Sequence, residues 1–113
     1  MEMNRLLVVR RGCPFCLLAL KAVMYVNRYL PFDKRIEVID NYQWEEMKIN
    51  SHPVLDEMLD KELFDGYPHI FIDGTVVEPA PTENLIISIA KIVQNDLVMD
   101  INFGGRTISP EIE

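Results

Sequence analysis

The spacing of apolar residues changes once within the first forty positions, close to residue 13. Leu6-Leu7-Val8-Val9 is a short, continuous apolar run, and it predicts a first β-strand at residues 5–9. From Phe15 onward, apolar residues recur at helical spacing, and Pro31 is expected to end this helix after Leu30. The predicted core-facing stripe of the helix is Leu17, Leu18, Leu20, Val23, Met24 and Leu30. The chain therefore begins with a strand that leads directly into a helix.

Further along, strand and helix patterns alternate. Residues 35–39 alternate polar and apolar side chains and predict a second strand. Residues 51–63 begin with Ser51-His52-Pro53 and continue with an apolar stripe, which predicts a second helix. Strand-like runs at 69–72 and 75–77 flank Asp73-Gly74, which is a strong hairpin signal. Thr82 is expected to cap a last helix that continues to about Asn95.

The resulting order of elements is βαβαββα. Strands joined through a helix favour parallel pairing, whereas the tight hairpin adds antiparallel strands, so we expect a mixed four-stranded sheet. We assign residues 1–95 to one α/β domain. Residues 96–113 form a C-terminal extension, packed on the domain or partly flexible, in which Gly104-Gly105 is a hinge or turn.

Composition narrows the class of protein. A chain of 113 residues with 49% hydrophobic residues is long enough for one domain with a real core. Its net charge of −7 disfavours nucleic acid as the main partner, because phosphate binding requires a basic face. We find no apolar run of membrane-spanning length and no secretory signal at the N-terminus. The expectation is a cytoplasmic monomer with no membrane partner, whose thiols are kept reduced.

The two cysteines of the chain, Cys13 and Cys16, are separated by two residues and lie at the junction of the first strand and first helix. A C-x-x-C in this position is typical of a thiol–disulfide redox site. A zinc or iron–sulfur site is the alternative, although two ligands do not complete a four-ligand site. Positive charge at the helix N-terminus and on neighbouring arginines favours a thiolate at Cys13. Cys13 is therefore the expected nucleophile, and Cys16 is the expected resolving thiol.

Two motifs together resemble the glutaredoxins of the thioredoxin superfamily. The first is Cys13-Pro14-Phe15-Cys16 at the helix start, and the second is Tyr67-Pro68 followed by the third strand. The resemblance covers roughly residues 5–95 and implies a thioredoxin-like fold, with a four-stranded mixed sheet and helices on both faces. It implies dithiol oxidoreductase activity on protein disulfides or glutathione mixed disulfides, with glutathione as co-substrate and no permanently bound cofactor or metal. It also implies that Pro68 is cis and lies against the cysteine pair.

The resemblance suggests further binding residues. Arg10 matches a basic position that contacts the glutathione carboxylate, although a solvated surface arginine is an equal alternative. Phe15 is a candidate for the wall of the substrate groove, with simple exposure beside the site as an equal alternative. Tyr67 offers backbone groups to an extended substrate. Thr82 and Glu83 begin the last helix and are candidates for glutathione contact through backbone N–H groups, with helix capping as the alternative for Glu83.

The segment after Val77 departs from the glutaredoxin pattern. The family carries two glycines and an Asp-containing turn there, whereas this chain has Glu78-Pro79-Ala80-Pro81-Thr82-Glu83-Asn84. The departure keeps open a second source of electrons, thioredoxin reductase, which reduces some glutaredoxin-like redoxins that serve ribonucleotide reductase. A third alternative is an iron–sulfur-binding protein in which two copies hold a cluster through Cys13 and glutathione. His69 is expected to be a half-buried strand residue, and Trp44 in the acidic segment at 40–50 has no assigned role.

Overall fold

The computed structural model describes residues 5–10, 12–40 and 68–110 and shows a mixed α/β fold. Its main sheet has four strands: β1 (Arg5–Val9), β2 (Glu37–Asp40), β3 (His69–Ile72) and β4 (Thr75–Val77). The spatial order is β2-β1-β3-β4, with β1 parallel to β2 and the other pairs antiparallel. The predicted mixed four-stranded sheet is therefore confirmed, while the helix predicted at 51–63 lies outside the described residues.

β1 is a central strand, and its sequence explains why. Leu6, Leu7 and Val8 are all fully buried, so apolar side chains are needed on both faces of the strand. Leu7 faces the core that contains both described helices, α1 (Pro14–Asn27) and α2 (Thr82–Ile92). Leu6 and Val8 point to the opposite face, because successive strand side chains alternate.

Helix α1 differs from its predicted form at its end and in its buried stripe. It ends at Asn27 rather than at Leu30, because the backbone N–H groups of Tyr29 and Leu30 bond carbonyls three residues back instead of four. The Asn27 side chain bonds the backbone N–H and C=O of Ile36, at 2.8 and 3.0 Å. The same two bonds occupy the backbone of Ile36, so β2 begins at Glu37 instead of at residue 35. The prediction that Leu17 and Met24 are core residues is wrong, since they are 53% and 57% exposed. The buried residues of α1 are Cys16, Ala19, Ala22, Val23 and Val26.

The small residues on this buried stripe have a physical role. Ala19 and Ala22 allow α1 to approach the sheet and α2 closely, and the larger leucines cannot occupy the same positions without overpacking. The predicted stripe is thus confirmed at Val23 and Leu30, whereas Leu17 and Met24 each lie one position beyond a buried residue, Cys16 and Val23.

The β3–β4 hairpin has the turn that its sequence predicts. Asp73 and Gly74 have φ of 50° and 86°, the left-handed backbone that a two-residue type I′ turn requires. Arg5 at the start of β1 secures this turn, since its guanidinium bonds Asp73 at 2.8 and 3.0 Å and also bonds Asp96 and the carbonyl of Lys34. One half-buried arginine thus joins the sheet, the hairpin and the segment after α2.

Helix α2 does not have the predicted cap. Thr82 is its first residue, and the N-cap is Pro81, which makes no side-chain capping bond. The hydroxyl of Thr82 instead donates to the carbonyl of Leu18 in α1 at 3.0 Å, so it joins the two helices. The helix ends at Ile92, and a short 3₁₀ turn follows at Gln94–Asp96.

The residues after α2 form a second hairpin, β5 (Ile101–Phe103) and β6 (Arg106–Ile108). Gly104 and Gly105 make its turn, with φ of 60° and 75°. Ile101 and Ile108 are buried in the same core as α1 and α2, and the Phe103 ring meets Tyr25 edge to face at 5.2 Å. Among the described residues, we find no helix long and apolar enough to cross a membrane.

Candidate active site

The cysteine pair lies where the carboxyl end of β1 passes into α1. Gly12 has φ of +75°, a left-handed conformation that turns the chain between the strand and the helix. Cys13 follows in extended conformation as the N-cap of α1, and Pro14 takes the first helical position, where its missing N–H removes no helical bond. The local sequence therefore places both thiols at the start of a helix.

The Cys13 sulfur acts as the helix cap. The backbone N–H of Cys16 donates to Cys13 Sγ at 3.2 Å, and the N–H of Leu17 donates to the Cys13 carbonyl at 3.3 Å. An N-cap side chain usually offers an oxygen to these orphan N–H groups, so here sulfur takes that place. The Cys13 sulfur therefore accepts a backbone N–H in the first turn of α1, at the positive end of the helix dipole.

Cys16 lies in a different environment from Cys13. Both cysteines are free thiols, but Cys13 is partly exposed whereas only 3% of Cys16 is exposed. Burial is the largest cause that raises the pKa of Cys16, to about 11, and the hydrogen bond to Cys13 adds to it. A backbone hydrogen bond from Arg10 acts in the opposite direction without cancelling the rise. The structure thus gives the pair an accessible thiol at the helix cap and a buried thiol that stays protonated near neutral pH.

A groove of about 440 Å³ opens beside the pair, between the end of β1 and the first turns of α1. The described residues that line it are Val9, Arg10, Gly12, Cys13, Pro14, Cys16, Leu17 and Leu20. The groove brings three predicted site residues together: Cys13, Cys16 and Arg10. Sequence reasoning missed Leu17 and Leu20 as site residues because their helical spacing favoured a core assignment.

Pro68 lies at the same end of the sheet as the cysteines. In the antiparallel pairing of β1 with β3, Val8 is opposite His69, so the register carried one residue further places Pro68 opposite Val9. Pro68 is buried. Tyr67 lies outside the described residues, so its predicted contact with substrate and the predicted cis bond both stay predictions.

His69 is buried, and burial lowers its pKa to about 4. It pairs with Val8, whose side chain is on the face of the sheet opposite Leu7 and the helices. Cys16 is buried on the helix side, so the sheet separates the imidazole from the resolving thiol. The imidazole is a neutral strand residue at pH 7, more deeply buried than the half-buried state expected from the sequence.

The remaining predicted site residues lie around or away from the groove. Phe15, in the first turn of α1, is 53% exposed and does not line the groove. The hydroxyl of Thr82 is engaged with α1, as described above. The Glu83 carboxylate lies against Gly104, at a separate cleft of about 370 Å³ between α2 and the second hairpin. Neither Thr82 nor Glu83 lines the groove at the cysteines.

In the described ranges 5–10, 12–40 and 68–110, no cluster of three or more His, Cys, Asp or Glu side chains is arranged to hold a metal ion. Comparison of the chain with protein-family models found no match, and comparison with curated proteins found none either.

Proposed function

We propose that this protein is a dithiol thiol–disulfide oxidoreductase of the glutaredoxin type, with a thioredoxin-like fold. The observation that carries the proposal is the asymmetry of the pair: the Cys13 sulfur caps a helix and is accessible, and the Cys16 thiol is buried with a raised pKa. The β2-β1-β3-β4 sheet, with both described helices on one face, is compatible with that fold. A cytoplasmic location accompanies the proposal, because thiols are kept reduced there.

In the proposed reaction, the Cys13 thiolate attacks one sulfur of a substrate disulfide. A new S–S bond forms to Cys13, the substrate S–S bond breaks, and its electron pair leaves on the other substrate sulfur. Cys16 then attacks Cys13 Sγ and releases the second substrate sulfur, which takes up the proton that Cys16 loses. The substrate gains two electrons, and the protein is left with a Cys13–Cys16 disulfide.

Glutathione is the electron donor in this proposal. Arg10 lines the groove beside Cys13, and a guanidinium is suited to bind a glutathione carboxylate through two parallel bonds. The test is a coupled assay with glutathione, glutathione reductase, NADPH and a glutathionylated substrate. Turnover that requires the protein supports the proposal, and lack of turnover of any disulfide with any donor would refute it.

A second candidate keeps the chemistry but takes electrons from thioredoxin reductase. Two features at the start of α2 favour it, because a glutathione site is expected there from the family resemblance. The Thr82 hydroxyl is already bonded to α1, and the exposed Glu83 carboxylate opposes an anionic ligand in the first helical turn. Reduction of the oxidised protein by each donor system, measured side by side, distinguishes the two candidates.

A further inference from the structure

Leu17 follows Cys16 in α1 and has an exposed side chain. A single exposed leucine is ordinary in a protein surface. Leu17, however, is half exposed and lines the same groove as Cys13, together with Leu20 and Val9. The reacting sulfur therefore opens onto an apolar recess whose volume lies within the range of about 300–1,000 Å³ found for ligand pockets.

We propose that this groove receives an apolar side chain next to the reacting cysteine of a protein disulfide, so that proteins with aliphatic residues beside the disulfide are the preferred substrates. The inference rests on the proposed dithiol function. It adds a specificity-determining role for Leu17, which the glutaredoxin resemblance did not suggest.

The geometry of a disulfide limits where such a side chain can lie. In the mixed disulfide, the Cα atoms of Cys13 and of the substrate cysteine are about 4.4–6.8 Å apart. Leu17 is four residues along α1 from the Cys13 cap, about 6 Å further along the helix axis. A residue adjacent to the substrate cysteine, about 3.3 Å along an extended chain, is therefore within side-chain reach of Leu17.

The polarity of the groove selects among side chains. Most of the described residues that line it are apolar, and Arg10 is the one charged residue among them. An aliphatic substrate side chain would remove apolar surface of Leu17 and Leu20 from water, whereas a charged one would lose its own hydration there. Glutathione has a γ-glutamyl group and a glycine beside its cysteine, so it offers nothing apolar to this recess.

The test uses two short peptides, each a mixed disulfide with 5-thio-2-nitrobenzoate, that differ only in leucine or serine next to the cysteine. The prereduced protein is the reductant, and attack by Cys13 on the peptide sulfur releases the coloured, low-pKa thiolate. We expect the second-order rate constant to be about 10-fold higher for the leucine peptide, the lower end of discrimination by an apolar pocket. The matching glutathione disulfide offers no apolar side chain, so its rate should not depend on Leu17.

Two variants test whether the groove causes the preference for the leucine peptide. Leu17→Gln keeps a good helix former and should reduce the leucine preference to about twofold or less. Met24→Gln removes an equally exposed apolar residue of α1 outside the groove, and should leave the preference unchanged. Thermal unfolding of both variants checks that each is folded.

The possible outcomes distinguish the groove assignment from the dithiol function on which it rests. Equal rates for the two peptides in the wild-type protein, or a preference that survives Leu17→Gln, would overturn the groove assignment while the dithiol function stands. No reaction with any of the three disulfides would overturn the dithiol function and the groove assignment with it.

Discussion

The burial of Cys16 makes a quantitative prediction about its reactivity. In a Cys13→Ser variant, Cys16 is the single thiol of the chain, and serine is itself a preferred N-cap residue, so the helix start is retained. Burial, the first cause of the raised pKa of Cys16, persists when Cys13 is removed, whereas the smaller contributions from Cys13 itself are lost, so the value of about 11 is an upper bound for this variant. The reaction of this thiol with a small aromatic disulfide then reports its ionisation in the folded protein.

The size of the effect follows from the pKa. A pKa of about 11 in place of the ordinary 9.0 lowers the thiolate fraction near neutral pH roughly 100-fold. A thiolate of higher pKa is also a stronger nucleophile, which recovers a factor of about 8. Through ionisation alone, the folded variant should therefore react up to about 10 times more slowly than the same chain unfolded, and limited access to the buried sulfur slows it further.

The assay compares initial rates at pH 7.5 in buffer and in guanidinium chloride, with a cysteine peptide measured in both to correct for the solvent. In buffer, the rate should continue to rise between pH 9 and pH 10. Equal corrected rates in the folded and unfolded states, or a rate that levels off near pH 9, would refute the assignment of Cys16 as the protonated partner.

Three further predictions concern stability and are measured by urea unfolding. Ile101→Ala should lower the free energy of unfolding by about 2–5 kcal/mol, because the side chain is fully buried. Val98→Ala, at a residue 58% exposed, should lower it by less than about 0.5 kcal/mol. Similar small losses in both variants would show that the second hairpin is not part of the core. Arg5→Leu removes a side chain that bonds Asp73, Asp96 and the Lys34 carbonyl. Because both carboxylates are about one third exposed and water can solvate them, we expect a loss of about 1–2 kcal/mol, against less than about 0.5 kcal/mol for Lys21→Leu at an exposed position. Equal effects would contradict the bridging role. The pKa of His69 is about 4 in the folded protein and 6.5 in its ordinary state. Between these pH values the imidazole of the unfolded chain binds a proton that the folded protein does not bind. The free energy of unfolding should therefore fall by up to about 3 kcal/mol as pH falls from 6.5 to 4. His69→Gln should remove most of that slope, and a slope unchanged in the variant would assign it to other groups.

The strands were predictable because their signals are local. The apolar run of β1, and the Asp73-Gly74 turn between two short apolar segments, each permit one interpretation. β2 was placed two residues early, since no local pattern shows that the Asn27 side chain bonds the backbone of Ile36. The second hairpin had a usable signal, Gly104-Gly105 between apolar residues, but the segment was interpreted only as a hinge or turn.

The candidate site was predictable to a smaller extent. The position of Cys13 and Cys16 at a helix start followed from the strand-to-helix change in spacing. The apolar wall of the groove could not be predicted in this way, because leucines at helical spacing indicate a buried stripe. The residues that contact the core are instead the alanines beside them. Thr82 was likewise expected to cap α2, and only the packing of the two helices shows that its hydroxyl bonds Leu18.

The most direct test of the central claim is to trap the mixed disulfide. Cys16→Ser removes the resolving thiol, so incubation with a peptide disulfide should leave one peptide attached to Cys13, identified by the mass of the intact protein and of its proteolytic fragments. Cys13→Ser should remain unmodified under the same conditions, and the wild-type protein should end with its two cysteines joined, two hydrogens lighter. Attachment of the peptide to Cys16 in Cys13→Ser at a comparable rate, or no adduct in Cys16→Ser, would contradict the assignment of Cys13 as the attacking thiol.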